Sequence, residues 1–173
     1  MAKLGIVKKA KFVMLKPSKF FAKVKTEKGI SDPFRYLAMV SLVYAIGNYL
    51  VSSPVSMISK EFLAVFSYAA GLLSPFVSAW ITNIIARLLG GKGKYHETYK
   101  AYVYASTPSL LFGWVPLIGV IPSLYTLYLS VLGISKYHRI GMWKALAAVI
   151  LFPILVAIIL AFVIAGFAYT FLK

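Results

Sequence analysis

FLAVFSYAAGLLSPFVSAWITNIIARLL, residues 62–89, followed at once by GGKGKYHETYK, residues 90–100, decides the fold of this chain. The first run carries one charge, Arg87, near its end. Its 28 residues make a helix of about 42 Å at 1.5 Å per residue, against a hydrocarbon core of roughly 30 Å. A helix that is apolar all round belongs in lipid or in a large core. This one must tilt, kink or project, and Pro75 offers the kink. Glycines then stop the helix and the chain turns basic.

Four more apolar stretches follow the same plan, giving five predicted spans at about 34–53, 62–89, 101–115, 117–135 and 145–172. Threaded alternately through a bilayer from a cytoplasmic N-terminus, they place 17 of the 19 Lys and Arg residues inside, with only Lys60 and Lys173 outside. Anionic inner lipids and the membrane potential both oppose export of basic loops, so the C-terminus is expected outside the cell membrane. Composition agrees: 173 residues, 61% hydrophobic and 13% charged, with a mean hydropathy of +0.84, cannot clothe a soluble domain. The expected class is all-α, a polytopic five-helix membrane domain over residues 31–173 behind a basic leader, residues 1–30.

The net charge of +15 borders apolar spans, so anionic headgroups rather than nucleic acid are the expected partner. No cysteine is present, which excludes disulfides and thiolate sites. The absence of glutamine, with only Asn48 and Asn83 as amides, points to a heat-adapted source. In the leader, Pro17 separates two short amphipathic helices. Such helices lie in the interface, with Phe20 and Phe21 dipped toward acyl chains and Lys8, Lys9, Lys11, Lys16, Lys19 and Lys23 at headgroups. Ser31-Asp32-Pro33 reads as a helix start ahead of the first span, with an oxygen-bearing cap and Pro33 at the first helical position. Residues 101–135 are uncharged and slightly few for two spans, so a tight hairpin turning at Trp114–Leu117 is predicted.

Polar residues inside the spans are few. Asn48 and Asn83 need partners at membrane depth and should face the bundle. With Ser74, Ser78 and Thr82 they suggest a polar route between spans one and two; close helix packing explains the same small residues. All four carboxylates lie in loops or at span ends, which disfavours an ion-coupled carrier. Gly90-Gly91-Lys92-Gly93 lacks the spacing of a phosphate-binding loop and reads as a helix stop. His96, Glu97 and His138, on two inner loops, are scattered candidates for a metal site, and His96-Glu97 lacks a second histidine at position 100. No metal, no cofactor and no catalytic dyad is expected.

From Gly90 onward, GGKGKYHETYKAYVYASTP, the Trp-Val-Pro-Leu-Ile-Gly turn and LGISKYHRIGMWKA together resemble the Yip1 domain family. The matching positions are Gly90, Gly91, Gly93, Ala105, Pro108, Pro116, Gly119, Gly133, His138 and Ala145. The resemblance implies a five-helix membrane domain with its N-terminus in the cytoplasm. Eukaryotic members are associated with vesicle trafficking and bind Rab-type small GTPases; their acidic Asp-Leu-Tyr-Gly-Pro segment is absent here. The expected function is therefore non-enzymatic. The protein would organise lipid or a protein partner through a cytoplasmic face that includes Gly90, Gly91, Lys92, Gly93, Lys94, His138 and Arg139. The alternative expectation is a small-solute or ion transporter using the polar route.

Overall fold

A computed structural model of the chain describes residues 5–25, 29–52 and 59–171. Among these residues there are eight helices and no strand: α1 Ile6–Leu15, α2 Pro17–Val24, α3 Ser31–Val51, α4 Lys60–Leu88, α5 Tyr95–Ala105, α6 Thr107–Phe112, α7 Val120–His138 and α8 Met142–Phe171. Of these, α3 and α4 are long and apolar enough to cross a membrane.

The two run antiparallel and pack along much of their length, with Gly71 of α4 set against Ser41 of α3, where a Cβ would meet Ser41 Oγ at 2.8 Å. Helix α3 begins at Ser31, so the cap is Ile30, which offers no side-chain oxygen; Asp32 instead complements the first-turn dipole. Ser59 does cap α4, accepting from the Phe62 N–H at 3.2 Å. At its other end α4 closes in a Schellman turn. Gly90 takes φ +93°, Gly91 N–H donates to Ala86 O at 2.8 Å, and Gly90 N–H donates to Arg87 O at 3.0 Å.

The third predicted span, 101–115, is two helices instead. Helix α5 already starts at Tyr95, because Glu97 accepts from the Lys94 N–H at 2.9 Å and caps it, so residues 95–100 are helical rather than loop. The break after Ala105 follows from Pro108, which has no N–H for the Tyr104 carbonyl. The Thr107 hydroxyl supplies that donor at 2.7 Å and accepts from Tyr36 at 2.8 Å, tying the break to α3. The turn between α6 and α7, 113–119, is pinned by Trp114. Its indole N–H donates to Leu111 O at 2.7 Å and its ring covers Gly47, where a Cβ would lie 2.2 Å from the indole.

The apolar face of the leader is turned into the bundle, where the sequence suggested acyl chains. Phe20, Phe21 and Val24 are fully buried in the protein. Phe20 meets Tyr104 edge-on at 4.9 Å and Phe21 meets Tyr137 at 5.9 Å, while Gly133 lets Phe21 approach α7. Tyr125 donates to the Met14 carbonyl, and Lys136 donates to both the Ser18 carbonyl and hydroxyl, at 2.9 and 2.7 Å. Burying two phenylalanines against tyrosine rings outweighs the moderate amphipathicity that suggested a lipid-facing helix. The leader is thus a strap over α5 and α7.

Candidate functional site

The basic end of the bundle is organised around one side chain, His138, the last residue of α7 and fully buried. The loop after α4 wraps it. Cβ atoms on Gly91 and Gly93 would stand 2.6 Å from His138 Nδ1 and 2.7 Å from His138 Cδ2, so only glycine lets the backbone lie on the ring. Lys92 N–H donates to the His138 carbonyl at 3.0 Å, closing the wrap. The Gly-Lys-Gly run is therefore a sleeve for an imidazole, besides being a helix stop.

The far edge of the ring meets a relay of polar groups. Thr98 Oγ1 stands 2.7 Å from His138 Nε2 and donates to Asn83 Oδ1 at 3.0 Å. Since the threonine hydroxyl has one proton and gives it to Asn83, Nε2 carries the ring proton and donates to Thr98. Nδ1, which has no hydrogen-bond partner, then keeps only a lone pair. Burial lowers the His138 pKa from the usual histidine value, against a raising pull from Glu97 and with a lowering push from Arg87. His138 lies three residues past the predicted fourth span and belongs to the basic end.

Beside this core opens a cleft of about 370 Å³ lined by Lys25, Lys92, Lys94, His96, Glu97, Tyr137 and Arg139. It joins the end of α2, the glycine sleeve, the start of α5 and the α7–α8 turn. Arg139 sits in that turn with left-handed backbone, φ 56°, ψ 40°. Glu97 is the cleft's one carboxylate, and it is engaged by the Lys94 N–H.

The expected site residues distribute as follows. His96 and Glu97 line the cleft while His138 points into the protein; among the described residues no group of three metal-ligating side chains forms. Lys8, Lys11, Lys16, Lys19 and Lys23 are exposed. Lys9 departs from the set: it is 4% exposed and directs its ammonium at Tyr104, 3.5 Å from the hydroxyl. Its place on the inner arc of α1, with Ala10 and Val13, turns it from the headgroups. The polar route does not assemble as one lining. Asn48 donates to Tyr44 O within its own helix at 2.8 Å. Thr82 bonds Tyr102 at 2.7 Å, and Asn83 serves the histidine relay. Ser78 is half-buried, and Ser74 lines a separate cavity of about 270 Å³ with Ser106, Ser109 and Ser123. Thr98 and Lys25 are the site residues that sequence reasoning missed. Thr98 carries a signal in retrospect, a hydroxyl one turn past Lys94 on a helix start, whereas nothing in the sequence marks Lys25.

The model of the Yip1 domain matches residues 11–165 of the chain. Neither a curated protein nor a solved structure gives a match. The match takes in the strap from the middle of α1 onward, the glycine sleeve and His138. The chain belongs to the Yip1 domain family.

Proposed function

We propose that this membrane protein uses its basic end as a rigid cytoplasmic platform that organises anionic lipid or a protein partner. Yip1 domain proteins are non-enzymatic and the family is linked to vesicle trafficking, with Rab GTPases as partners in eukaryotes. The observation that carries the reading is the strap. With Phe20, Phe21 and Val24 turned inward, α1 and α2 hold Lys8, Lys11, Lys16, Lys19 and Lys23 outward on fixed helices rather than on a loose tail. Each such lysine near an anionic surface contributes about 1 kcal/mol of attraction. The basic surface also argues for this end as the cytoplasmic one. The distribution of Asn48, Thr82 and Asn83 into separate bonds speaks against the solute route.

The experiment is reconstitution of the full chain into vesicles with and without anionic lipid, comparing wild type with a variant in which the five exposed strap lysines become glutamine. The wild type enriches anionic lipid around itself and deforms anionic vesicles; the variant does neither. Equal behaviour of the two proteins would remove the proposal.

A further inference from the structure

We infer that the cleft between the strap, the glycine sleeve and the α7–α8 turn is a binding site for a phosphate group, of the doubly charged phosphomonoester or pyrophosphate kind. Four cationic side chains, Lys25, Lys92, Lys94 and Arg139, line one cavity of about 370 Å³ and face a single carboxylate, Glu97. They come from three separate segments of the chain, with Lys92 and Lys94 on one loop and Lys25 and Arg139 brought to it by folding. A concave site lined by one sign of charge focuses the field and raises the local concentration of the opposite ion.

The backbone that carries these cations is also held in place. Lys92 is fixed through its N–H on the His138 carbonyl, and its neighbours Gly91 and Gly93 lie on the buried imidazole. Lys94 is fixed through its N–H on Glu97. Arg139 occupies a left-handed conformation, φ 56°, that disfavours side chains other than glycine, asparagine and aspartate. A glycine would serve this turn with less strain, and backbone strain kept at a cavity of like charges is what a bound anion rewards. His96 adds a ring nitrogen that donates to phosphate oxygen in either protonation state. Arginine and lysine at such a site recognise phosphate through charge-assisted hydrogen bonds.

This deepens the proposed platform and rests on it only for the side of the membrane that the ligand approaches. Two sources carry the chemistry, a phosphomonoester lipid headgroup and a soluble phosphate compound. The test is calorimetric titration of the full chain in neutral detergent with inorganic pyrophosphate, repeated in nanodiscs of zwitterionic lipid with or without phosphatidic acid. The wild type binds pyrophosphate at one saturable site in detergent. Phosphatidic acid in the disc abolishes that binding if the headgroup is the ligand, and leaves it intact if a soluble phosphate is.

Arg139→Gly relieves the strained backbone, so it keeps the thermal midpoint at or above wild type while binding weakens about tenfold, the scale of one charge-assisted contact. Lys92→Gln, at an exposed position, gives the same loss should Arg139→Gly disturb the turn. Glu97→Gln keeps the acceptor that caps α5 and removes the opposing charge, so it binds several-fold tighter. Lys11→Gln with Lys19→Gln, on the strap outside the cleft, leaves pyrophosphate affinity unchanged although it lowers anionic-lipid enrichment. Absence of saturable binding, or equal weakening by the strap variants, overturns the site while leaving the strap-and-lipid reading standing.

Discussion

Replacing Gly93 with alanine tests the sleeve around His138 most directly. The new Cβ would lie 2.7 Å from Cδ2, 2.8 Å from Nε2 and 2.9 Å from Cγ of the imidazole. Ordinary contact needs about 3.5 Å or more, so ring and loop must separate by nearly 1 Å. That movement strains the 2.7 Å bond between Nε2 and Thr98. Overpacking of this kind costs about 1–3 kcal/mol and a lost buried hydrogen bond about 1 kcal/mol, for a total of about 2–4 kcal/mol. At about 2–4 °C per kcal/mol for a chain of this size, the thermal midpoint in detergent should fall by roughly 5–15 °C. The decisive comparison is a double-mutant cycle with His138→Ala. Once the ring is gone, Gly93→Ala should cost almost nothing, so the two losses are strongly non-additive. Gly91→Ala is different, because its Cβ also meets the Ala86 carbonyl oxygen at 2.6 Å, which His138→Ala does not remove. Additive losses for Gly93→Ala and His138→Ala would refute the sleeve.

The remaining expectations concern other parts of the molecule. Phe20→Ala should destabilise the detergent-solubilised protein by about 3–5 kcal/mol, since the ring is core; an unchanged melting temperature would return the leader to the lipid interface. Thr107→Val removes both the donor to the Tyr104 carbonyl and the acceptor for Tyr36, and should cost about 2–3 kcal/mol; Tyr36→Phe should cost less in that background than alone. Gly47→Ala should expel the Trp114 indole and shift its emission, read in a chain with Trp80 and Trp143 changed to phenylalanine. His138 is held below the usual histidine pKa, so the unfolded chain takes up a proton first as pH falls. Stability is then at its fullest above about pH 6.5 and declines as pH drops from there toward the folded-state pKa, a decline that His138→Ala should abolish in a melting series.

The helices were legible because lipid imposes a coarse rule: long apolar runs become helices, and basic residues mark where they end. The glycine stop after Leu89 could be read for the same reason, since a helix end needs a left-handed residue. Contacts between distant segments could not be read. Phe20 and Phe21 have the same spacing whether they face acyl chains or Tyr104 and Tyr137, and periodicity says only that they share a face. Lys9 shows the same limit, lying among lysines that point out while itself turning to a tyrosine. His138 was visible as a potential ligand, but its bond to Thr98 spans 40 residues and depends on α5 starting six residues earlier than expected. That early start is local chemistry, a glutamate three residues past Lys94 that caps the helix, whereas lysine itself is not among the residue types that mark an N-cap.

The seat of the strap is built from late parts of the chain: Met14 meets Tyr125, 111 residues further on. At a synthesis rate of about 5–20 residues per second, that separation corresponds to roughly 6–22 s between the emergence of α1 and that of its anchor. For that interval the ribosome presents a greasy, cationic stub with nowhere to dock. Closure of the strap therefore waits for α7, and a chain halted before it would leave Phe21 without Tyr137, a bare apolar surface for quality control to read.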